Sequence, residues 1–243
     1  MQNDSPSPSK TVHSKIIAEA ARETLAPLGA FQRGRSRIWI DDRGWWIVNI
    51  EFQPSGFGKG SYLNVGAMWL WHEKDHFTFD FGNSDTGSRI AKFVPYVDDQ
   101  QFRAEVLKLA SVAKAEALRL RNQFASIHDA ARHLPNRARR DENPWTELDA
   151  AIALGYVGKT SRARMLFKEI ERLKPSQEWE RLVQEKARPF TETLDRPDDF
   201  QRIVRETILK TRKLLKLPDR LDLDLDRPQL SSLSRWRFKF PWQ

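Results

Sequence analysis

The chain has 243 residues, of which 40% are hydrophobic and 11% aromatic, and this composition predicts a folded protein rather than a disordered one. It contains no cysteine, which excludes disulfide bonds, zinc–thiolate sites and thiol nucleophiles. The formal net charge is +8 but uneven, because residues 1–97 carry 11 Lys and Arg against 10 Asp and Glu, whereas residues 98–243 carry 30 against 23.

The chain begins with a Ser- and Pro-rich segment over residues 1–10, which predicts a disordered tail. The first predicted element is a helix over residues 11–28, where Ile16, Ile17, Ala20 and Leu25 share a face. The N-terminus lacks the apolar core of a signal peptide, and no run in the chain approaches eighteen apolar residues. We therefore expect a cytoplasmic protein that does not associate with a membrane.

Apolar residues alternate between residues 36 and 81, which predicts a four-stranded antiparallel sheet. An Asp-Asp-Arg-Gly turn over residues 41–44 separates the first two strands, and "FTFDF" at residues 77–81 is the fourth strand. From residue 99 the apolar period is that of a helix again and predicts a long helix that covers the sheet. These elements together predict an α+β domain over residues 11–134.

The sequence "HLPNRARRDENPW" interrupts the helical pattern and places a domain boundary there. Residues 135–243 are expected to form an all-helical half that ends in an extended aromatic-basic tail. Two short helices flank "GYVGKTS", and Ala163, Phe167 and Pro175 have the spacing of a tetratricopeptide-type helical hairpin, which this segment resembles. The overall prediction is an α+β fold followed by a helical C-terminal half.

Residues 72–76 contain the H-E-x-x-H pattern of zinc peptidases, in His72, Glu73 and His76. In those enzymes the two histidines lie one turn apart on a helix, so that both reach one ion. Here alternating aromatic runs flank the pattern, and the other histidines offer no obvious third ligand. We interpret the stretch as a polar hairpin turn, with His72 and His76 as the metal candidates if that interpretation is wrong. The sequence otherwise predicts no catalytic residue, metal or cofactor.

Two further sequence patterns resemble ligand-binding loops but lack the spacing or the residue types that those loops require. "SGFGKGS" lacks the spacer of a phosphate-binding P-loop, and an expected strand rather than a helix follows it. "DLDLD" carries the first three ligand positions of a calcium loop, but Arg227 stands where that loop needs glycine and Leu233 where it needs glutamate.

Basic and aromatic residues of the C-terminal half are the candidates for binding a partner. Arg137, Arg139 and Arg140 belong to a basic stretch that either contacts phosphate groups or forms a solvated helix face. The tail alternates basic and apolar side chains, which suits an added strand, base stacking, insertion into a partner's groove or docking on the protein's own helical half. Its candidate residues are Arg235, Trp236, Arg237, Phe238, Phe240 and Trp242.

Residues 15–125 contain a series of short motifs: a helix ending in L-x-x-x-G, a basic run, an aromatic residue, an "IVNI" strand and a "YLNVG" strand. The positions are Leu25, Gly29, Phe31, Arg33, Arg35, Trp39, Ile47, Val48, Asn49, Ile50, Tyr62, Asn64, Val65 and Gly66. With these motifs the segment resembles a bacterial family of domains of unknown function, relative to which Ala30 is an insertion. The resemblance implies an α+β domain and transfers no catalytic residue.

The sequence therefore favours a non-enzymatic interaction module with an unidentified protein partner. The type of family suggests a role in bacterial conflict, such as toxin neutralisation or phage defence. The alternative is a nucleic-acid-binding accessory factor, since the excess of +7 lies in residues 98–243.

Overall fold

The computed structural model of the protein describes residues 12–82, 88–141, 143–220 and 223–226. These residues form five strands and seven α-helices, and they confirm the predicted α+β class. The chain divides into two compact units. Unit 1 comprises Met1–Asp41, Asn49–Gly66 and Phe81–Leu118, and unit 2 comprises Asp42–Val48, Ala67–Asp80 and Arg119–Gln243. The predicted tails, residues 1–10 and 235–243, lie outside the described residues.

The elements run from an N-terminal helix through a sheet to a helical C-terminal half, as predicted. The strands form one antiparallel sheet in the order β1-β2-β3-β4-β5, and they are β1 Phe31–Gln32, β2 Ile38–Asp42, β3 Trp46–Glu51, β4 Gly60–Trp69 and β5 Arg89–Pro95. The helices are α1 Val12–Leu25, α2 Asp99–Gln123, α3 Ile127–Asp141, α4 Pro144–Tyr156, α5 Thr160–Arg172, α6 Glu178–Thr193 and α7 Pro197–Leu214. No helix in the described ranges combines the length and hydropathy needed to cross a bilayer.

The sheet has five strands rather than the predicted four, because the short strand β1 was not predicted, and it also differs in the strand that follows β4. Residues 77–81 form irregular chain with a single bridge at Phe81, because the Asp80 carboxylate accepts a hydrogen bond from the Trp69 amide at 2.8 Å and folds the segment back. The strand that follows β4 is β5, which the sequence analysis missed. Its residues are half-buried or exposed, as is usual at the edge of a sheet, so they lack a clear apolar alternation. The predicted turn between β2 and β3 is confirmed, with Gly44 at φ 86°.

Unit 1 contains α1, most of α2, strands β1 and β5, most of β2 and β4, and half of β3. Arg103 on α2 lies 3.1 Å from Glu23 on α1, and Phe102 packs edge-on to Tyr96. Strand β5 joins β4 through the pair Ser61↔Val94, and the rings of Tyr62 and Phe93 lie 5.0 Å apart.

Unit 2 is built around α4, which packs against α3, α5, α6 and α7. Asn143 caps this helix by accepting a hydrogen bond from the Trp145 amide at 2.9 Å, and Pro144 occupies the first position, where its missing N–H costs nothing. Helix α4 approaches α7 so closely that a Cβ atom on Gly155 would lie 2.5 Å from the Phe200 ring. The two helices predicted to flank "GYVGKTS" are present as α4 and α5, with Gly158 at φ 75° in the turn, and the resemblance to a tetratricopeptide-type hairpin stays a prediction.

A cluster of four tryptophans and a buried ion pair complete unit 2. Trp45, Trp69 and Trp71 stack with centroids 5.1–5.8 Å apart, and Trp46 lies against them. Arg212 on α7 binds both carboxylate oxygens of Asp42 at 2.8 Å.

The predicted domain boundary between residues 134 and 135 falls inside α3, and the two compact units are not consecutive along the chain. Pro135 cannot donate the helical hydrogen bond, which normally costs about 3 kcal/mol. Here α3 packs against α4 and buries Leu134, Pro135 and Ala138, so the apolar surface removed from water offsets that cost.

Candidate binding pocket of unit 2

Unit 2 encloses a pocket of about 700 Å³. The loop after β4 forms one wall, and α3, α4, α6 and α7 supply the others. The lining residues are His72, Glu73, Lys74, Asp75, His76, Thr78, Phe79, Asp80, Arg137, Asp141, Asn143, Trp145, Thr146, Asp149, Leu182, Lys186 and Leu214. Its volume falls in the range of roughly 300–1,000 Å³ that is usual for ligand sites, and most of its lining residues are polar or charged.

The deepest polar group of the pocket is the pair formed by His72 and Asp149. The His72 Nε2 atom lies 3.0 Å from Asp149 Oδ1, and the side chains are 2% and 4% exposed. The Trp71 indole donates a second hydrogen bond to the same oxygen at 2.8 Å. Helix α4 therefore fixes the position of the imidazole through its carboxylate.

Burial raises the pKa of Asp149, and the hydrogen bond and charge of His72 only partly oppose that effect. The pKa of Asp80 is shifted in the opposite direction. Its burial favours the neutral acid, but the charges of Lys74 and His72, together with the hydrogen bonds from Lys74 and the Trp69 amide, outweigh burial and lower its pKa. The pocket thus contains two buried carboxyl groups, of which Asp149 has a raised pKa and Asp80 a lowered one.

Asp80 holds the wall formed by residues 72–80 in place. It accepts hydrogen bonds from Lys74 at 2.6 Å and from the Thr78 hydroxyl at 2.8 Å, in addition to the Trp69 amide. The carboxylate therefore has partners for both oxygens, and its role is to order the loop.

The rim of the pocket combines ion pairs with exposed apolar side chains. Glu73 lies 2.7 Å from Lys210, whose hydrogen bond holds the pKa of Glu73 below its ordinary value. Arg137 donates to Asp141 at 2.5 Å. Leu182 and Leu214 also line the pocket and are 41% and 40% exposed, so the rim offers apolar surface to an incoming group.

The structure separates the two histidines of the H-E-x-x-H pattern. Residues 72–76 form an irregular loop, not the helix that a zinc peptidase needs, and also not the predicted hairpin turn, because no regular strand follows. His72 is buried against Asp149, whereas the His76 side chain is 72% exposed and pairs with Asp75. Within the described ranges no group of three His, Asp or Glu residues is arranged to hold a metal ion.

The three basic candidates on α3 differ in where they lie and in what they contact. Arg137 lines the pocket, Arg139 donates to Asn136 at 2.5 Å, and Arg140 is exposed. The tail candidates, Arg235 to Trp242, lie outside the described residues.

Sequence reasoning missed the side chains that α4 and α6 add to the pocket, chiefly Asp149, Trp145 and Lys186. Asp149 is 77 residues from His72, and no short motif marks either residue as part of a pair.

Comparison with known proteins gives no family for the chain. No family model matches it, and no solved structure matches it. Over 120 residues, or 48% of its length, it is 26% identical to the curated protein glycogen phosphorylase from Saccharomyces cerevisiae. The chain spans 12% of the length of that relative, so the similarity is confined to a small part of a much larger protein.

Proposed function

We propose that this protein is a non-enzymatic interaction module that binds a segment of a partner protein in the pocket of unit 2. The observation that supports the proposal is the combination of a pocket of about 700 Å³ with an exposed apolar rim at Leu182 and Leu214. A role in bacterial conflict or defence belongs to this proposal and rests on the family resemblance alone.

The pairing of the acids in the pocket supports binding rather than catalysis. Asp80 is held by Lys74, Asp141 by Arg137, and Glu73 by Lys210. Asp149 is occupied by His72 and the Trp71 indole. A general base must be free to take a proton from a substrate at hydrogen-bond distance, and each of these carboxylates would first have to release a partner.

The charge of the pocket indicates the chemistry of the partner. Five carboxylates line it against three Lys and Arg side chains, so its formal charge is −2 with neutral histidines, on a chain whose net charge is +8. The pocket is therefore a locally acidic site. We infer that the partner segment presents a basic side chain beside an apolar one, the apolar group lying against Leu182 and Leu214 and the basic group near Asp75.

Capture of partners from the native cell lysate tests this proposal. We expect Leu182→Asp to reduce recovery of the main partner about tenfold or more, because it places a charge in the apolar rim. Leu209→Asp is the matched control, since Leu209 is 48% exposed on α7 and does not line the pocket. Equal recovery of the partner with both variants, each shown by circular dichroism to be folded, would mean that the partner does not bind in this pocket.

The alternative function is nucleic-acid binding, which the +7 excess of residues 98–243 and the exposed Arg140 favour. Capture that disappears on nuclease treatment, and affinity that falls steeply with salt, would support this alternative. Deletion of residues 235–243 would then show whether the tail carries the binding.

A further inference from the structure

Unit 1 contains a second, smaller cavity of about 150 Å³. It lies between the start of α1 and the loop that joins β1 to β2. Its lining residues are Ser14, Ile17, Ala18, Gln32, Arg35, Ser36, Arg37 and Trp39. Sites for drug-sized ligands occupy roughly 300–1,000 Å³, whereas one water takes about 30 Å³ of the liquid, so the cavity suits a group of only a few heavy atoms.

The loop that carries Arg35 and Arg37 is held by its own hydrogen bonds. The Gln32 side-chain amide donates to the Ser36 carbonyl at 2.6 Å, and the Ser36 hydroxyl donates to the Arg33 carbonyl at 2.7 Å. The Arg33 amide in turn donates to the Ile38 carbonyl at 2.9 Å. The loop therefore presents the side chains at positions 35 and 37 from an ordered backbone.

Arg37 is the unusual group of this cavity. Its half-buried guanidinium donates to the Gly60 carbonyl at 3.2 Å and to the Ser14 hydroxyl at 3.0 Å, both of them neutral acceptors. In the described part of the chain no carboxylate forms an ion pair with it, and burial lowers its pKa. A charge that is partly removed from water gains from a counter-charge, and a guanidinium has five N–H donors, so donors remain for an anion after the bonds to Gly60 and Ser14.

The surroundings of Arg37 add positive potential. Burial lowers the pKa of His13, and the nearby charges of Arg37 and Lys59 lower it further. Helix α1 has no acidic side chain in its first turn, so the positive end of its dipole is not neutralised by the helix itself.

We propose that this cavity binds a phosphate group, either free inorganic phosphate or the terminal phosphate of a small phosphomonoester. Arg37 binds two oxygens of the phosphate through its planar fork, and Arg35 contributes a second positive charge at the mouth. The volume admits the phosphate and leaves an attached organic group outside. This site lies wholly in unit 1, and its occupancy is separate from binding in the pocket of unit 2.

Isothermal titration of the full chain with inorganic phosphate tests the proposal, with chloride holding the ionic strength constant. We expect saturable binding that Arg37→Gln weakens about tenfold or more, the usual effect of losing a charged hydrogen-bonding partner. Lys15→Gln is the matched control, because it removes the same charge beside Ser14 from a residue that is exposed and outside the cavity. A second titration with glycerol 3-phosphate distinguishes the free anion from a phosphomonoester.

Two results would overturn the proposal. One is the absence of saturable binding of either probe by the wild-type chain up to millimolar concentration. The other is an equal loss in Arg37→Gln and Lys15→Gln, since general charge attraction would then explain the heat. If Arg37→Gln does not fold, Arg35→Gln decides on the same criteria.

Discussion

Arg212 is a residue of unit 2 whose replacement we expect to destabilise the protein strongly. Its side chain is 4% exposed and binds both oxygens of Asp42, which is 8% exposed. It also donates to the Gly44 carbonyl at 2.8 Å. Removing one partner of a buried ion pair costs about 3–5 kcal/mol, because the other charge remains buried. Arg220 lies 3.5 Å from Asp42 and partly compensates it, so we expect Arg212→Met to cost about 3 kcal/mol.

Urea denaturation, followed by the fluorescence of the nine tryptophans, measures this loss as a fall in the free energy of unfolding. Arg202→Met is the control, because Arg202 lies on the same helix in exposed ion pairs with Asp199 and Glu206. Exposed pairs contribute at most about 1 kcal/mol. Equal losses in the two variants would refute the reasoning, since burial would then not govern the effect.

The same pair predicts a dependence on pH. Burial alone would raise the pKa of Asp42, but the hydrogen bonds and charge of Arg212 outweigh it. The charge of Arg220 and the hydrogen bond from the Gly44 amide add to this effect, so the pKa lies below its ordinary value of 3.8. A depressed pKa means that the unfolded chain binds the proton more tightly than the folded chain. The contribution of the pair to stability is therefore full above pH 3.8 and is lost as the pH falls below that value.

Two further substitutions test the packing of unit 2, both measured by urea denaturation. Asp149→Ala leaves the buried Trp71 indole and His72 imidazole without their acceptor and should lower the free energy of unfolding by about 2–4 kcal/mol. Asp149→Asn keeps an acceptor oxygen and should lower it by less. Equal losses in the two variants would contradict this explanation. Gly155→Ala should cost about 1–3 kcal/mol, because the added Cβ lies 2.5 Å from the Phe200 ring, and Phe200→Leu in the same chain should recover part of the loss.

The sequence predicts the helices and strands of this fold better than it predicts how they group into the two compact units. Alternation around Trp46 and Val48 and the helical stripe near Val106 identify a strand and a helix, because each pattern is local. The edge strand β5 escapes prediction, since Arg89 and Lys92 lie on a sheet edge that buries little. Residues 42–48 and 67–80 belong to the unit formed by the helices, and no local pattern reports a grouping of that kind.

The candidate pocket was only partly predictable for the same reason. The H-E-x-x-H pattern drew attention to His72, but through zinc chemistry that the loop does not support. The actual partner of His72 is a carboxylate on α4. The sequence of that helix, "PWTELDAAIALGY", has the pattern of an ordinary apolar segment. Tertiary packing, which a single sequence does not display, makes Asp149 a buried acid rather than a surface one.

The long separation between Asp42 and Arg212 has a consequence for protein synthesis. The two residues are 170 positions apart, and at about 5–20 residues per second Arg212 is polymerised roughly 10 to 30 s after Asp42. During that interval the turn that carries Asp42 has been made but lacks the helix that supplies its buried counter-charge. Nascent chains arrested before α7 should consequently lack this ion pair, and the resistance of the turn at residues 42–44 to limited proteolysis should rise when α7 emerges from the ribosome.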